Sequence, residues 1–205
     1  MKKIIFCLLV SNPFWLFAQI GVKAGLNFAN VTRVSSINNN SASGFHAGLF
    51  FATSSKKIIG SKTELVFSRQ GYNYQTGANG GRVNLNYIML PEYLCINITR
   101  YFQIQAGVQI AYLLNAKADS SMDYGIPGSY GKILDFYNRL DYGIGGGIEV
   151  HPFKGLQVGA RANFSLSSLY KNTMDYSSND QPSFIPSVDV KNNVIQLYLG
   201  WRFGK

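Results

Sequence analysis

IQLYLGWRF (residues 195–203) carries a large apolar side chain at every second position: Ile195, Leu197, Leu199, Trp201 and Phe203, with Gln196, Tyr198, Gly200 and Arg202 between them. A period of two belongs to a β-strand with one oily face and one wet face. The same alternation runs back through the chain. Residues 20–31 set Ile20, Val22, Ala24, Leu26 and Phe28 against Gly21, Lys23, Gly25 and Asn27. Residues 44–52 oppose Phe45, Ala47, Leu49 and Phe51 to His46 and Gly48, and residues 62–74 oppose Thr63, Leu65 and Phe67 to Glu64, Ser68 and Gln70. Residues 102–117 alternate most clearly, with Ile104, Ala106, Val108, Ile110, Tyr112 and Leu114 on one side and Gln103, Gln105, Gly107 and Gln109 on the other. Residues 139–150 and 156–167 repeat the pattern. Residues 83–97 are almost continuously apolar and contain Pro91, which lacks a ladder donor, so a bulge is expected there and no facing is assigned.

Eight such runs in one chain predict a single all-β domain. The segments between runs two and three, four and five, and six and seven are short, whereas residues 32–43, 118–136 and 168–191 are long and rich in Asn, Ser and Gly. Short turns at one end and long loops at the other predict an eight-stranded antiparallel up-and-down transmembrane β-barrel, with short turns and both termini periplasmic. A barrel of eight strands is just filled by its own side chains, so no open channel is expected.

Alternation alone is symmetrical, because a soluble lipocalin-like barrel would turn its apolar face inward. Composition separates the two. Charged residues are 14% of the chain, below the roughly 25% of soluble domains, and the polar faces hold Gly, Gln, Asn and Ser rather than Lys and Glu. The apolar faces end in aromatics: Phe28, Phe45, Tyr112 and Phe164 towards one rim, Phe51, Phe102, Trp201 and Phe203 towards the other. Those two rows predict interfacial girdles around a lipid-facing wall. Arg69 falls on the apolar side near a rim, where its stem can snorkel.

The opening MKKIIFCLLVSNPFWLFA places Lys2 and Lys3 before an apolar run that Ser11, Asn12 and Pro13 interrupt. This pattern predicts a cleaved secretory signal peptide over residues 1–18 and a barrel domain over 19–205. Cys95 is then the one cysteine of the mature chain, which excludes an internal disulfide. Without Lys2 and Lys3 the formal charge falls from +9 to +7. For an exported chain this excess points away from nucleic acid and towards anionic headgroups, such as those of lipopolysaccharide, or acidic glycans.

Facing inward by the same parity are Lys23, Arg139, Arg161 and Arg202 with Glu64, Asp141 and Glu149. Isolated charges inside a barrel are costly, so these seven are expected to form a paired polar network. The stretches GVKAGLNFANV (21–31), ELVFSRQGY (64–72), LNYIMLPEYL (85–94) and LYLGWRF (197–203) resemble the PorT-like outer-membrane β-barrel family. The resemblance spans almost the whole mature chain and implies fold and location. Its motifs are barrel signatures rather than catalytic ones, and the secretion-accessory role of the namesake does not transfer on fold alone.

Candidate chemistry is sparse. His46 near Ser43 could serve an outer-membrane lipid-modifying enzyme, but no carboxylate is marked to orient it, and an interior histidine is the simpler reading. His151 precedes Pro152 and reads as a turn residue. GIGGG (143–147) resembles a phosphate loop yet sits inside an alternating strand with no following helix. Loop acids such as Asp119, Asp123, Asp175, Asp180 and Asp189 have no calcium-ligand spacing. No cofactor or metal is expected. Tyr124, Tyr130, Tyr137, Tyr170, Tyr176 and Phe184 give the long loops a composition suited to glycan or envelope-protein partners. The expected function is a non-enzymatic envelope scaffold or accessory in transport or secretion, surrounded by outer-membrane lipids. Leu197, Leu199, Trp201 and Phe203 would be the terminal insertion signal read by the barrel-assembly machinery. Deleting residues 201–205 should block assembly and so abolish the folded, heat-modifiable band on cold electrophoresis.

Overall fold

The computed structural model describes residues 19–31, 40–54, 57–76, 79–120, 133–171 and 190–203. The expected leader lies outside the described residues. Eight strands follow one another: β1 (Gln19–Val31), β2 (Asn40–Ala52), β3 (Ile59–Thr76), β4 (Asn79–Asn97), β5 (Phe102–Ser120), β6 (Leu140–Val150), β7 (Leu156–Ser165) and β8 (Asn192–Arg202). Each pairs antiparallel with the next, and β1 pairs with β8 from Gly21↔Arg202 to Val31↔Asn192, so the sheet is a closed barrel. Within the closed wall no strand is left as an edge. Both termini of the barrel and the turns after β2, β4 and β6 lie at one end, called here the short-turn end.

Strands β3, β4 and β5 run longer than their hydrophobic alternation. Only residues 77 and 78 separate β3 from β4, and the pairs Asn73↔Arg82 and Gly81↔Ser120 carry the three strands past the apolar band as a projecting ribbon. Hydropathy marks where the oily wall stops, whereas backbone pairing needs no oily side chain to continue. The bulge expected at Pro91 is absent there. Pro91 stands in register opposite Gln109, and the β3 ladder passes from Thr63↔Glu92 to Val66↔Met89 without a shift, leaving the proline opposite a gap in the pairing. The register shifts lie instead between Ser41 and His46 on β2 and between Asn86 and Tyr87 on β4. The second makes Leu114 the extra residue of β5. Inward facing therefore passes from Leu113 to Ala116, and Lys117 points outward.

The faces are arranged inside out relative to a water-soluble barrel. Among the described residues, 34 large apolar side chains are exposed, including Leu26, Leu49, Leu65, Leu90, Ile110, Ile144, Leu197 and Leu199 around the whole circumference. A soluble monomer does not leave so continuous an oily surface in water. Phe28, Phe45, Tyr112 and Phe164 are exposed towards the long-loop end, and Tyr101, Phe153, Trp201 and Phe203 towards the short-turn end, while Phe51 and Phe102 are half-buried.

The lumen has two levels. In the short-turn half it is polar, lined by Lys23, Lys62, Glu64, Gln103, Gln105, Glu149, Gln157 and Arg161. In the long-loop half the inward side of β3–β5 is apolar: Val66, Val83, Leu85, Met89, Ala111, Leu113 and Ala116 form one cluster with Ile133, Phe136, Leu169 and Val190. The latter group comes from segments beyond the strands, where a single 3₁₀ turn (Leu134–Phe136) and an isolated Tyr137↔Tyr170 bridge fold in over the barrel. Strand β4 is thus buried in protein on one face and lipid-like on the other, which is why its sequence is continuously apolar rather than alternating.

Tyr137 and Tyr170 therefore do not stand out as loop-tip recognition residues. Both are buried, their rings 5.0 Å apart, and the Tyr72 hydroxyl shares hydrogen bonds with both of theirs. Burial pushes the Tyr170 phenol up to about 12 and the Tyr137 phenol well above its usual value, so both stay neutral at physiological pH. The remaining loop aromatics, Tyr124, Tyr130, Tyr176 and Phe184, and the acids Asp123, Asp175, Asp180 and Asp189 lie outside the described residues, as does the Asp119 side chain. Leu85→Ala, which empties a fully buried site, is expected to cost about 2–5 kcal/mol of unfolding free energy. Leu94→Ala, on the exposed wall where lipid can fill the gap, should cost clearly less in urea titrations of vesicle-inserted protein.

Candidate functional site

The interior charges meet where β1, β3, β6 and β7 face one another across the polar half. Parity along each strand aims Lys23, Lys62, Glu64, Glu149 and Arg161 inward, and the barrel's small radius brings them into contact. Arg161 grips Glu64 with both arms, Nη1 to Oε2 at 3.0 Å and Nη2 to Oε1 at 3.1 Å, and Lys23 Nζ donates to Oε2 at 2.9 Å. Lys62 Nζ donates to Glu149 Oε2 at 2.6 Å and to Gln157 Oε1 at 2.9 Å, and stands 4.0 Å from Glu64 Oε1. Glu149 also accepts from the Tyr198 hydroxyl at 2.8 Å, from Gln105 Nε2 at 3.1 Å and from His151 Nε2 at 2.8 Å.

Three cations thus share two carboxylates. Aromatic faces take up the difference: Arg161 lies 3.8 Å from the Tyr93 ring centroid, Lys23 4.1 Å from that of Tyr198 and Lys62 4.3 Å from that of Phe50. Gly159 makes this possible on β7, because a Cβ there would lie 2.3 Å from Cζ of Tyr198.

Of the seven interior charges expected from parity, Lys23, Glu64, Glu149 and Arg161 converge. Asp141 is buried but sits nearer the long-loop end, accepting from Ser165 Oγ and from Ser167 Oγ at 2.5 Å. Arg202 is buried at the short-turn end and donates Nη1 to Gln19 Oε1 at 3.3 Å, tying β8 to the start of β1. Arg139 is a correction: it is exposed. It precedes β6, which begins at Leu140, so the strand no longer dictates where it points.

Two members were missed. Lys62 lies two residues before Glu64 on the same side of β3, so parity alone would have included it. His151 lies two residues after Glu149 and is buried against it rather than being only a turn residue, the turn itself being closed by Gly155 at φ +92°. Glu92, in the stretch left without a facing, points outward, is half-buried and accepts from Thr63 Oγ1. Met89, three residues earlier on the other face, points inward and meets Gln70 Nε2 at 3.3 Å.

The alternative pairing of His46 with Ser43 does not form, and His46 is an interior histidine. Ser43 is exposed on the outer wall, while His46 points into the lumen and its Nδ1 donates to Asn27 Oδ1 at 2.8 Å. Asn27 Nδ2 is in turn fixed by Ser68 Oγ at 2.9 Å and the Arg69 carbonyl at 2.8 Å, so an amide rather than a carboxylate holds the imidazole. GIGGG lies wholly within β6. Among the described residues, no group of three His, Cys, Asp or Glu side chains could hold a metal ion. Leu197, Leu199, Trp201 and Phe203 are all exposed on the outer wall.

Residues 11–171 match the family model of the outer membrane protein beta-barrel domain. No curated protein matches the sequence. Among solved structures, the chain is similar to Ail, the attachment invasion locus protein of Yersinia pestis, in complex with the heparin analogue sucrose octasulfate. The identity is 15% and the TM-score 0.53, over 91% of this chain and 99% of that one. It is also similar to Neisserial surface protein A, at 13% identity and a TM-score of 0.51, over 90% of this chain and 97% of that one. At these identities the likeness concerns the fold.

Glu64→Gln would leave Arg161 and Lys23 buried beside a neutral amide. It is expected to destabilise the barrel by about 3–5 kcal/mol in urea unfolding. Arg161→Met combined with Glu64→Gln should cost less than the two single changes added together.

Proposed function

The chain belongs to the outer membrane protein beta-barrel family, and from that premise we propose a non-enzymatic, PorT-like envelope protein that acts as a scaffold or as an accessory in transport or secretion. One observation carries this reading: side chains cross the lumen at both levels. Glu64 of β3 reaches Arg161 of β7, and Tyr72 of β3 reaches Tyr137 and Tyr170 at the long-loop end. A lumen spanned twice favours work done at the surface over passage of solutes through the middle. An enzyme reading loses support because Ser43 and His46 face opposite sides of the wall.

In the proposed orientation the short turns and both termini are periplasmic, which is the usual arrangement of such barrels. The long-loop end would then meet the outside, with a glycan or another envelope protein as partner. The wall would meet outer-membrane lipids, including lipopolysaccharide. Leu197, Leu199, Trp201 and Phe203 would be read by the barrel-assembly machinery during insertion.

Planar-bilayer recording tests the closed-lumen reading directly. The purified monomer is expected to give no steady conductance, and reproducible single-channel steps would contradict it. Deleting residues 173–187 is expected to abolish partner crosslinking in intact cells while leaving the barrel folded; undiminished crosslinking would exclude that loop as the contact.

A further inference from the structure

On the outer wall of β3, β4 and β5 the oily surface ends at a polar step. Going towards the long-loop end, Phe67 and Ile88 pair across the ladder, and the next outward pair is Arg69↔Asn86, followed by Asn84↔Lys117. Arg69 and Lys117 are exposed, and Asn84 and Asn86 are half-buried between them. Arg69 lies along the wall, its guanidinium 5.7 Å from the Phe45 ring centroid and its Nε donating to Asn86 Oδ1 at 3.2 Å. The β5 bulge is what brings Lys117 to this side, since without the extra Leu114 its parity would turn it into the lumen. Neither cation is in an ion pair with a carboxylate among the described residues. Arg82 is different: it stands opposite Asp119 in the ladder and donates to the Ser43 carbonyl, so it is left outside the site.

Two cations with no ion pair among the described residues, and two amides, immediately above Phe45, Phe67, Ile88 and Tyr112 suit a ligand that carries an anion directly beside acyl chains. We propose that Arg69, Lys117, Asn84 and Asn86 form a binding site for the phosphate of an acylated glycolipid, the lipid A part of lipopolysaccharide. Its acyl chains would lie on the apolar wall below. A free polyanionic sugar fits less well. Arg69 lies along the wall and Lys117 is exposed beside it at the border of the oily band, where a soluble glycan would have to compete with lipid for access. Guanidinium and ammonium groups are both effective phosphate donors, the former by paired N–H groups and the latter as a compact charge. The choice of lipid A over an anionic phospholipid rests on the orientation proposed above, which places this step in the outer leaflet.

The experiment measures lipid A binding to the detergent-purified barrel by native mass spectrometry, with folding of every variant checked by heat-modifiability. Arg69→Gln and Lys117→Gln are each expected to weaken lipid A binding by about tenfold or more, the effect of losing one charge-assisted contact. Lys117→Arg should retain it, and Arg100→Gln with Lys154→Gln, exposed at the short-turn end, should leave it unchanged. Lipid A stripped of phosphate should bind the wild-type protein as weakly as the variants bind the intact lipid. Equal affinity for the dephosphorylated lipid, for phosphatidylglycerol, or for a soluble sulfated oligosaccharide that displaces lipid A would overturn the proposal, as would unchanged binding by both glutamine variants. Orientation is read separately by labelling Gly77→Cys on intact cells with an impermeant maleimide. Labelling only after the outer membrane is opened would defeat the orientation reading while leaving a measured phosphate selectivity in place.

Discussion

The constraint on which this structure depends is that hydrocarbon offers no hydrogen bond to a peptide group. A sheet placed there must close, and this one does through the β1–β8 ladder. Once it is closed, the period of two sorts every side chain. Leu26, Leu49, Leu90, Ile110 and Leu197 go to the lipid, while their immediate neighbours along each strand go to a lumen too narrow to hydrate them freely. Charges sent inward therefore have to find one another. Glu64 and Glu149 are each held by several donors, and the bidentate Arg161 contact with the tyrosine faces offsets much of the desolvation that burying five charged groups incurs.

The same constraint explains the division of the lumen. Where the strands cross the apolar band nearest the short turns, the filling is ionic and hydrogen-bonded. Where β3–β5 project beyond it, the filling is apolar, and it is completed by Ile133, Phe136, Tyr137, Leu169 and Tyr170 folding back from the segments between strands. An ionic layer beneath an aromatic cap gives a rigid cylinder whose chemistry is directed to its rims and its outer wall. The polar step at Arg69 and Lys117 belongs to that outer wall, and it exists because one extra residue in β5 changes which side Lys117 occupies.

Much of this was legible in the residue order, because the exposed and buried sets of β1, β6, β7 and β8 are the two parities of their sequences. Parity also turned Lys23, Glu64, Glu149 and Arg161 inward, and the same parity two residues earlier on β3 adds Lys62; that Arg161 rather than Arg202 joins this level is set by strand register, which parity does not carry. Parity fails where regular pairing fails. Arg139 lies just outside a strand, Lys117 lies beyond a bulge, and His151 is fixed by a turn rather than a ladder. The face of β4 was hidden for a different reason. A strand with packed protein on one side and an oily outer wall on the other has no contrast to read, and the residues that bury its inner side, Phe136 and Leu169 among them, come from distant segments that look like exposed loop. The tyrosine cap was hidden likewise, since tyrosine among Asn and Ser suits a binding loop as well as a plug.

Trp201 gives the most direct measurement, because it is the one tryptophan in residues 19–205 and lies exposed on the outer wall at the short-turn rim. With residues 19–205 folded into vesicles, its fluorescence should be strongly quenched by phospholipids brominated near the glycerol end of the acyl chain and less by those brominated near the chain terminus. It should also resist quenching by aqueous iodide. Strong iodide quenching with no response to either brominated lipid would mean that water, not hydrocarbon, covers the oily face, and would contradict the inside-out barrel on which every other conclusion stands.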